Sequence, residues 1–188
     1  MKGFKYIALL VAALAYVSGY SQLSITTGGT DVVVDFQGTL PDVNQGAFQG
    51  DGFEPNPSAG RLDSDAWEVL GVSSGDGASI FGDTELNNDF ARGTSGGGTG
   101  IGGLYCFIPF SGNFSLGVQP TNSDFTPGSI TLKAINDTGL AVDEIKISYD
   151  VWTYNNVANA TKLSFSHASQ NIPNAFIEEP SVEYDSPS

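Results

Sequence analysis

The sequence predicts an all-β fold, a two-sheet antiparallel sandwich of jelly-roll type. Three observations point there. Short β-branched and aromatic runs alternate apolar and polar residues with period two, and clusters of Gly, Pro, Asn and Asp bound them. No 3.6-residue apolar stripe lasts long enough to make a helix, so the strands must cover one another in stacked sheets. With 188 residues, 40% of them apolar, the chain has room for one domain around one core.

Residues 1–21 read as a secretory signal peptide. Lys2 and Lys5 give the positive start, 6–17 are apolar, and Gly19 and Ser21 are the small residues that a signal peptidase needs. The apolar run is shorter than the ~20 residues of a membrane-spanning helix, so no membrane insertion is expected after cleavage. The alternative is a buried N-terminal helix. No cysteine near Gln22 offers a lipid acceptor. A single domain over 22–188 is expected, secreted or displayed at the cell surface.

Along that domain, Val32, Val33, Val34 and Phe36 make a first strand, and Trp67, Val69 and Val72 a second. Residues 104–110 form a continuous apolar run, read as a further strand. Phe114, Leu116 and Val118 alternate, as do Ile130, Leu132 and Ala134. The clearest alternation covers 144–154. Ile145, Ile147, Tyr149 and Val151 are assigned to the core there, and Glu144, Lys146, Ser148 and Asp150 to solvent. Leu163 and Phe165 begin the last strand. Between these, 41–60 is polar and interrupted by proline, and 73–103 is a long glycine-rich loop.

Charge excludes several partners. The 21 acidic residues outnumber 7 basic ones, for a net charge of −14. Loss of Lys2 and Lys5 with the leader leaves 21 acids against 5 bases, hence −16. Such a surface argues against nucleic acid as a partner and against electrostatic attachment to anionic lipid. One cysteine makes no internal disulfide, and one histidine makes no histidine-rich metal site.

Candidate chemistries fall away in turn. Residues 98–103 match G-x-G-x-x-G as a string, but they precede an apolar strand instead of opening a helix, so no dinucleotide site is read there. Cys106 lies in the most apolar run, where a cysteine packs as a small hydrophobe. His167 stands at a strand end with no motif partner. Arg92 is expected to lock a loop by bidentate carboxylate pairing. A glycosidase-like carboxylate pair stays open among so many acids, although their number fits solubility. No catalytic residue is assigned, and no organic cofactor is expected.

Two sets of residues remain. Asp63 and Asp65, together with Asp83 and Asp89, offer hard oxygen ligands in loops for a structural Ca²⁺; the alternative is turn and capping chemistry. Asp150, Trp152, Tyr154 and Asn156 form an aromatic platform with polar neighbours, suited to the faces of a neutral polysaccharide. The alternative is that a loop or the other sheet covers both rings, since Trp is highly buried on average. Asn113, Asn136 and Asn159 begin N-x-S/T sequons.

Several strings carry a family resemblance. They are the stretches 61–67, 89–94, 103–107, 116–120, 123–132 and 136–139, followed by 145–154 and 163–167. In this order they resemble an uncharacterised β-sandwich domain of secreted multidomain proteins from Bacteroidetes and other marine bacteria. That domain often precedes lamin-tail-like, endonuclease-like or C-terminal sorting modules. The resemblance implies the sandwich architecture, transfers no catalytic residue, and implies further chain beyond Ser188. The expectation is a secreted, non-catalytic recognition or scaffold module with weak carbohydrate binding. The other expectation is an N-terminal accessory domain of a larger hydrolase or nuclease.

Overall fold

A computed structural model describes residues 22–75, 77–86, 89–154, 161–169 and 175–185. The leader at 1–21 lies outside the described residues. Within them the fold is almost all strand, with no α-helix and one 3₁₀ turn at Pro180–Val182.

The strands in chain order are β1 (Leu23–Ile25), β2 (Asn44–Gln45), β3 (Gly52–Glu54), β4 (Arg61–Asp63), β5 (Trp67–Leu70), β6 (Ala78–Ser79), β7 (Glu85–Leu86) and β8 (Ala91–Ser95). They continue as β9 (Gly103–Phe107), β10 (Ser115–Gln119), β11 (Ser129–Leu132), β12 (Ala134–Asn136), β13 (Lys162–Leu163), β14 (Ser166–His167), β15 (Ile177–Glu178) and β16 (Tyr184–Asp185). They form small sheets ordered β2-β4-β3-β7, β10-β9-β8, β11-β5-β6, β1-β12, β13-β16 and β14-β15.

Pairing corrects the expectation of a purely antiparallel arrangement. β1 with β12, β3 with β4, and β8 with β9 are parallel. Parallel neighbours need a connection that crosses over, and the polar and glycine-rich loops provide it without helices. Alternation marks a half-buried strand but says nothing of its partner's direction.

The core lies between Leu23 and Leu132. Val43, Phe48, Phe53, Leu62, Ala66, Trp67, Val69, Val72, Phe90, Leu104 and Cys106 are buried together. Leu23, Val34, Phe36, Phe114, Ile130 and Leu132 pack on their margin. Phe36 packs at 6.0 Å from both Phe48 and Trp67, and Phe53 at 5.9 Å from Phe90. The Trp67 indole N–H donates to the Val43 carbonyl at 3.1 Å, so a large apolar ring is buried with its polar atom satisfied. The strand expected over 104–110 forms as β9 and ends at Phe107; it is buried at all five positions, between antiparallel β10 and parallel β8.

Two predicted strands do not form. The run 32–36 has no strand partner, and Phe36 takes a positive φ of 59° that breaks the extended path while its ring still reaches the core. The segment 144–154 carries no ladder hydrogen bond and is exposed throughout. Ile145 is 67% exposed and Ile147 47%, and Tyr149 and Val151 are exposed as well, so these four are not core residues. Rings of both parities touch other parts of the chain: Trp152 meets Phe110 and Tyr154 meets Phe107, while Tyr149 stacks on Phe165 and donates to the Val182 carbonyl.

Candidate functional site

The aromatic end of 144–154 rests on β9 and the loop after it. The Tyr154 ring stacks obliquely on Phe107 at 5.5 Å, and Phe107 in turn meets Tyr105 at 5.2 Å. Trp152 meets Phe110 edge-on at 5.3 Å, a favourable geometry for two ring quadrupoles. Tyr105 is buried and Phe107 nearly so, whereas Trp152 is 51% exposed, Phe110 55% and Tyr154 40%. An aromatic row thus climbs from the core to solvent, with an open indole beside an open phenyl ring.

The glycine-rich loop makes room for it. A Cβ on Gly97 would stand 2.5 Å from the Tyr154 ring, and the φ of 99° there also disfavours any side chain. Gly97 therefore serves a close approach to a ring of the chain itself, whereas Gly96, Gly98 and Gly100 stand in open space. Asp150 is exposed beside this row. Asn156 lies outside the described residues.

The loop's other end is held from beneath. Thr99 and Tyr105 share a hydroxyl hydrogen bond at 2.7 Å, and Tyr105 donates to the Ile101 carbonyl at 2.8 Å. Arg92 donates to the Gly102 carbonyl at 3.0 Å and to the Ser74 hydroxyl at 2.7 Å. Arg92 does lock a loop, then, but through a carbonyl and a hydroxyl rather than a bidentate carboxylate. Sequence reasoning passed over Asp124, which is buried beside it. Its carboxylate accepts from Thr121 Oγ1 at 2.6 Å and from the Ser73 N–H and hydroxyl at 2.8 and 2.7 Å. The Thr121 hydroxyl first, then the Ser73 N–H, hold this carboxyl below the usual aspartate range, and the Arg92 charge adds to them. The signal that could have revealed it is the spacing of Thr121, Ser123 and Asp124, a turn pattern that keeps a carboxylate near backbone donors.

The four acids proposed for calcium do not gather into one cluster. The Asp63 carboxylate accepts from the Asp65 N–H at 2.9 Å, closing an Asx turn, and the Asp65 carbonyl accepts from Lys133 Nζ at 3.1 Å. Asp83 caps Ile80 N–H at 3.2 Å. The Asp89 carboxylate packs against the Gly75 backbone, where a Cβ would collide with it. Among the described residues no three His, Cys, Asp or Glu side chains gather closely enough to hold a metal ion. Turn and capping chemistry accounts for Asp63 and Asp83.

Other reactive groups are apart. Cys106 is fully buried and donates its S–H to the Phe48 carbonyl at 3.1 Å; burial pushes its thiol up to about 11. His167 is exposed on β14, with Nδ1 3.5 Å from Glu179. A polar hollow of about 270 Å³ is lined by Asp42, Asn44, Asn56 and Asp63 among others. In it the Asn44 amide is already committed to the Gly38 and Gly46 carbonyls and the Leu40 N–H. No helix among the described residues is long and apolar enough to cross a membrane.

Compared with known proteins, the chain matches no family model, no curated protein and no solved structure.

Proposed function

We propose that this protein is an exported, non-catalytic β-sandwich module that recognises neutral polysaccharide weakly at the cell surface or outside the cell. The observation that carries this reading is the half-exposed Trp152 held edge-on by the half-exposed Phe110. A half-exposed ring packed against a neighbouring ring offers apolar surface to the face of a sugar, and that packing lowers the ordering cost of binding. Tyr154 extends the platform, and Asp150 can accept from sugar hydroxyls. Each stacked ring contributes on the order of 1 kcal/mol, by analogy with aromatic pairs. Two such contacts, less the cost of association, correspond to affinity of roughly millimolar per site. The acidic surface turns polyanionic glycans away.

The separation of buried Cys106 from exposed His167 supports the non-catalytic part, because a nucleophile and its base must lie within hydrogen-bond reach. The charged start, apolar run and small residues before Gln22 support export.

Affinity electrophoresis on neutral and acidic polysaccharides tests the binding. Retardation by a neutral glycan is expected, lost in Trp152→Ala while the circular dichroism spectrum stays the same. Absence of retardation on every glycan, or retardation unchanged in Trp152→Ala, overturns the carbohydrate reading. Mass spectrometry of the exported protein checks the leader, with an N-terminus expected near Gln22.

A further inference from the structure

We propose that residues 145–151 are a pairing strand for a second copy of this chain, joined antiparallel about a two-fold axis at Ser148. The segment 144–154 is free of turns, bends and positive φ, and its alternation is the strongest in the sequence. Its backbone N–H and C=O groups nevertheless have no ladder partner among the described residues, and its apolar row is exposed, although the Tyr149 ring stacks on Phe165 at 6.2 Å and its hydroxyl donates to the Val182 carbonyl. A long unpaired strand with an apolar face is a template for another strand.

The charges choose the partner. With Ser148 opposite Ser148, Lys146 faces the second copy's Asp150, and Asp150 faces its Lys146. The same register sets Ile145 opposite Val151 and Ile147 opposite Tyr149, so both apolar rows meet on one face. Opposite charges and aromatic–aliphatic pairs are the stabilising cross-strand combinations. Sliding the axis to Ile147 would place Glu144 against Asp150, a like-charge pair. Moving it to Tyr149 would leave Lys146 opposite Trp152 and make no ion pair. A parallel in-register pairing would set every charge against its own kind. One register therefore satisfies both faces, and the pairing is isologous and closed.

Trp152 and Tyr154 lie beyond this ladder and remain on their own domain's rings. The pairing is thus independent of the carbohydrate reading. Were both to hold, two platforms on one rigid dimer would bind a polymer with avidity.

Sedimentation of the purified protein across a concentration series is expected to show a monomer–dimer equilibrium. Lys146→Asp should raise the dimer dissociation constant roughly tenfold or more, by placing Asp against Asp twice. Combining it with Asp150→Lys should restore dimerisation, which a merely local structural role would not do. Ser148→Cys supplies an independent readout. In the proposed register the two cysteines lie about 4.5–5.5 Å apart between Cα atoms, within disulfide reach. Mild oxidation should therefore cross-link the dimer. Glu144→Cys should not cross-link, because its copies would be about 27 Å apart along the strand. A monomer at every concentration overturns the proposal. So does a dimer that neither responds to the charge swap nor cross-links through Ser148→Cys.

Discussion

Gly102 lies against the Asp124 carboxylate so closely that a Cβ on the glycine would overlap it. The contact joins the end of the glycine loop to the Thr121–Asp124 turn, and Arg92 clamps the same glycine's carbonyl from the other side. A backbone carbonyl, a guanidinium and a carboxylate thus tie three loops together just before β9. That strand then carries the aromatic row to the surface.

Gly102→Ala is expected to destabilise the protein by about 1–3 kcal/mol, the usual cost of overpacking a filled site. The carboxylate cannot simply swing away, because Thr121 and Ser73 hold it. Urea denaturation measures the loss. Gly98→Ala is the control for loop flexibility, since a Cβ there meets nothing within 4 Å, although its φ of 70° carries a backbone cost of its own.

Asp124 should also set part of the response to acid. Its pKa is lower in the folded protein than in the unfolded chain, chiefly through the Thr121 hydroxyl. Its contribution to stability is therefore complete above the ordinary aspartate value of about 3.9, and it is lost as pH falls through the lower, folded-state value. In Asp124→Asn this contribution is absent at neutral pH, and the loss of stability between pH 5 and the acid limit becomes shallower. Denaturation midpoints across that pH series give the comparison; parallel curves for both proteins would refute it.

Truncation should separate true core from alternating surface. Leu62 is fully buried, so Leu62→Ala should cost about 2–5 kcal/mol. Ile145 is 67% exposed, so Ile145→Ala should change the stability of the dilute protein by less than about 0.5 kcal/mol. Equal costs at the two positions would mean that 144–154 is packed as a core strand.

How far the fold was legible depends on what each pattern encodes. The run 104–110 was readable as a strand because it is continuously apolar, although β9 ends at Phe107, ahead of Pro109. Trp67 and Val69 were readable because they alternate with Glu68 and Leu70, and both are buried on β5. The pattern at 144–154 is just as regular, yet period two defines only two faces. Which residues meet the protein is decided by what the rest of the chain offers, and here Phe107 and Phe110 take rings from even positions and Phe165 takes Tyr149 from the odd ones. The parallel pairing of β1 with β12 and the Asp124 anchor depend on contacts between residues far apart in sequence, such as Leu23 with Ala134 and Ser73 with Asp124. Local composition does not encode those. For the candidate site, the exposure of Trp152 and Tyr154 was an open question in the sequence. Asp63 and Asp83 take part in turns, and the sequence does not separate that role from metal binding, because Asp serves both through the same oxygens.

Cys106 offers the last prediction, since its environment should make it chemically silent in the native protein. The side chain is fully buried, its S–H is donated to the Phe48 carbonyl, and burial raises its pKa to about 11. At pH 8 roughly one molecule in a thousand would carry the thiolate, against about a quarter for a free cysteine of pKa near 8.5. Lack of access slows the reaction further, because an alkylating reagent must wait for β9 to open. Iodoacetamide at pH 8 should therefore leave the folded protein unlabelled on a timescale that fully labels the protein in denaturant. Mass spectrometry of the two samples reads the difference directly. Rapid native labelling would mean that the strand between β8 and β10 opens readily, and the aromatic row built on it would then have no fixed support.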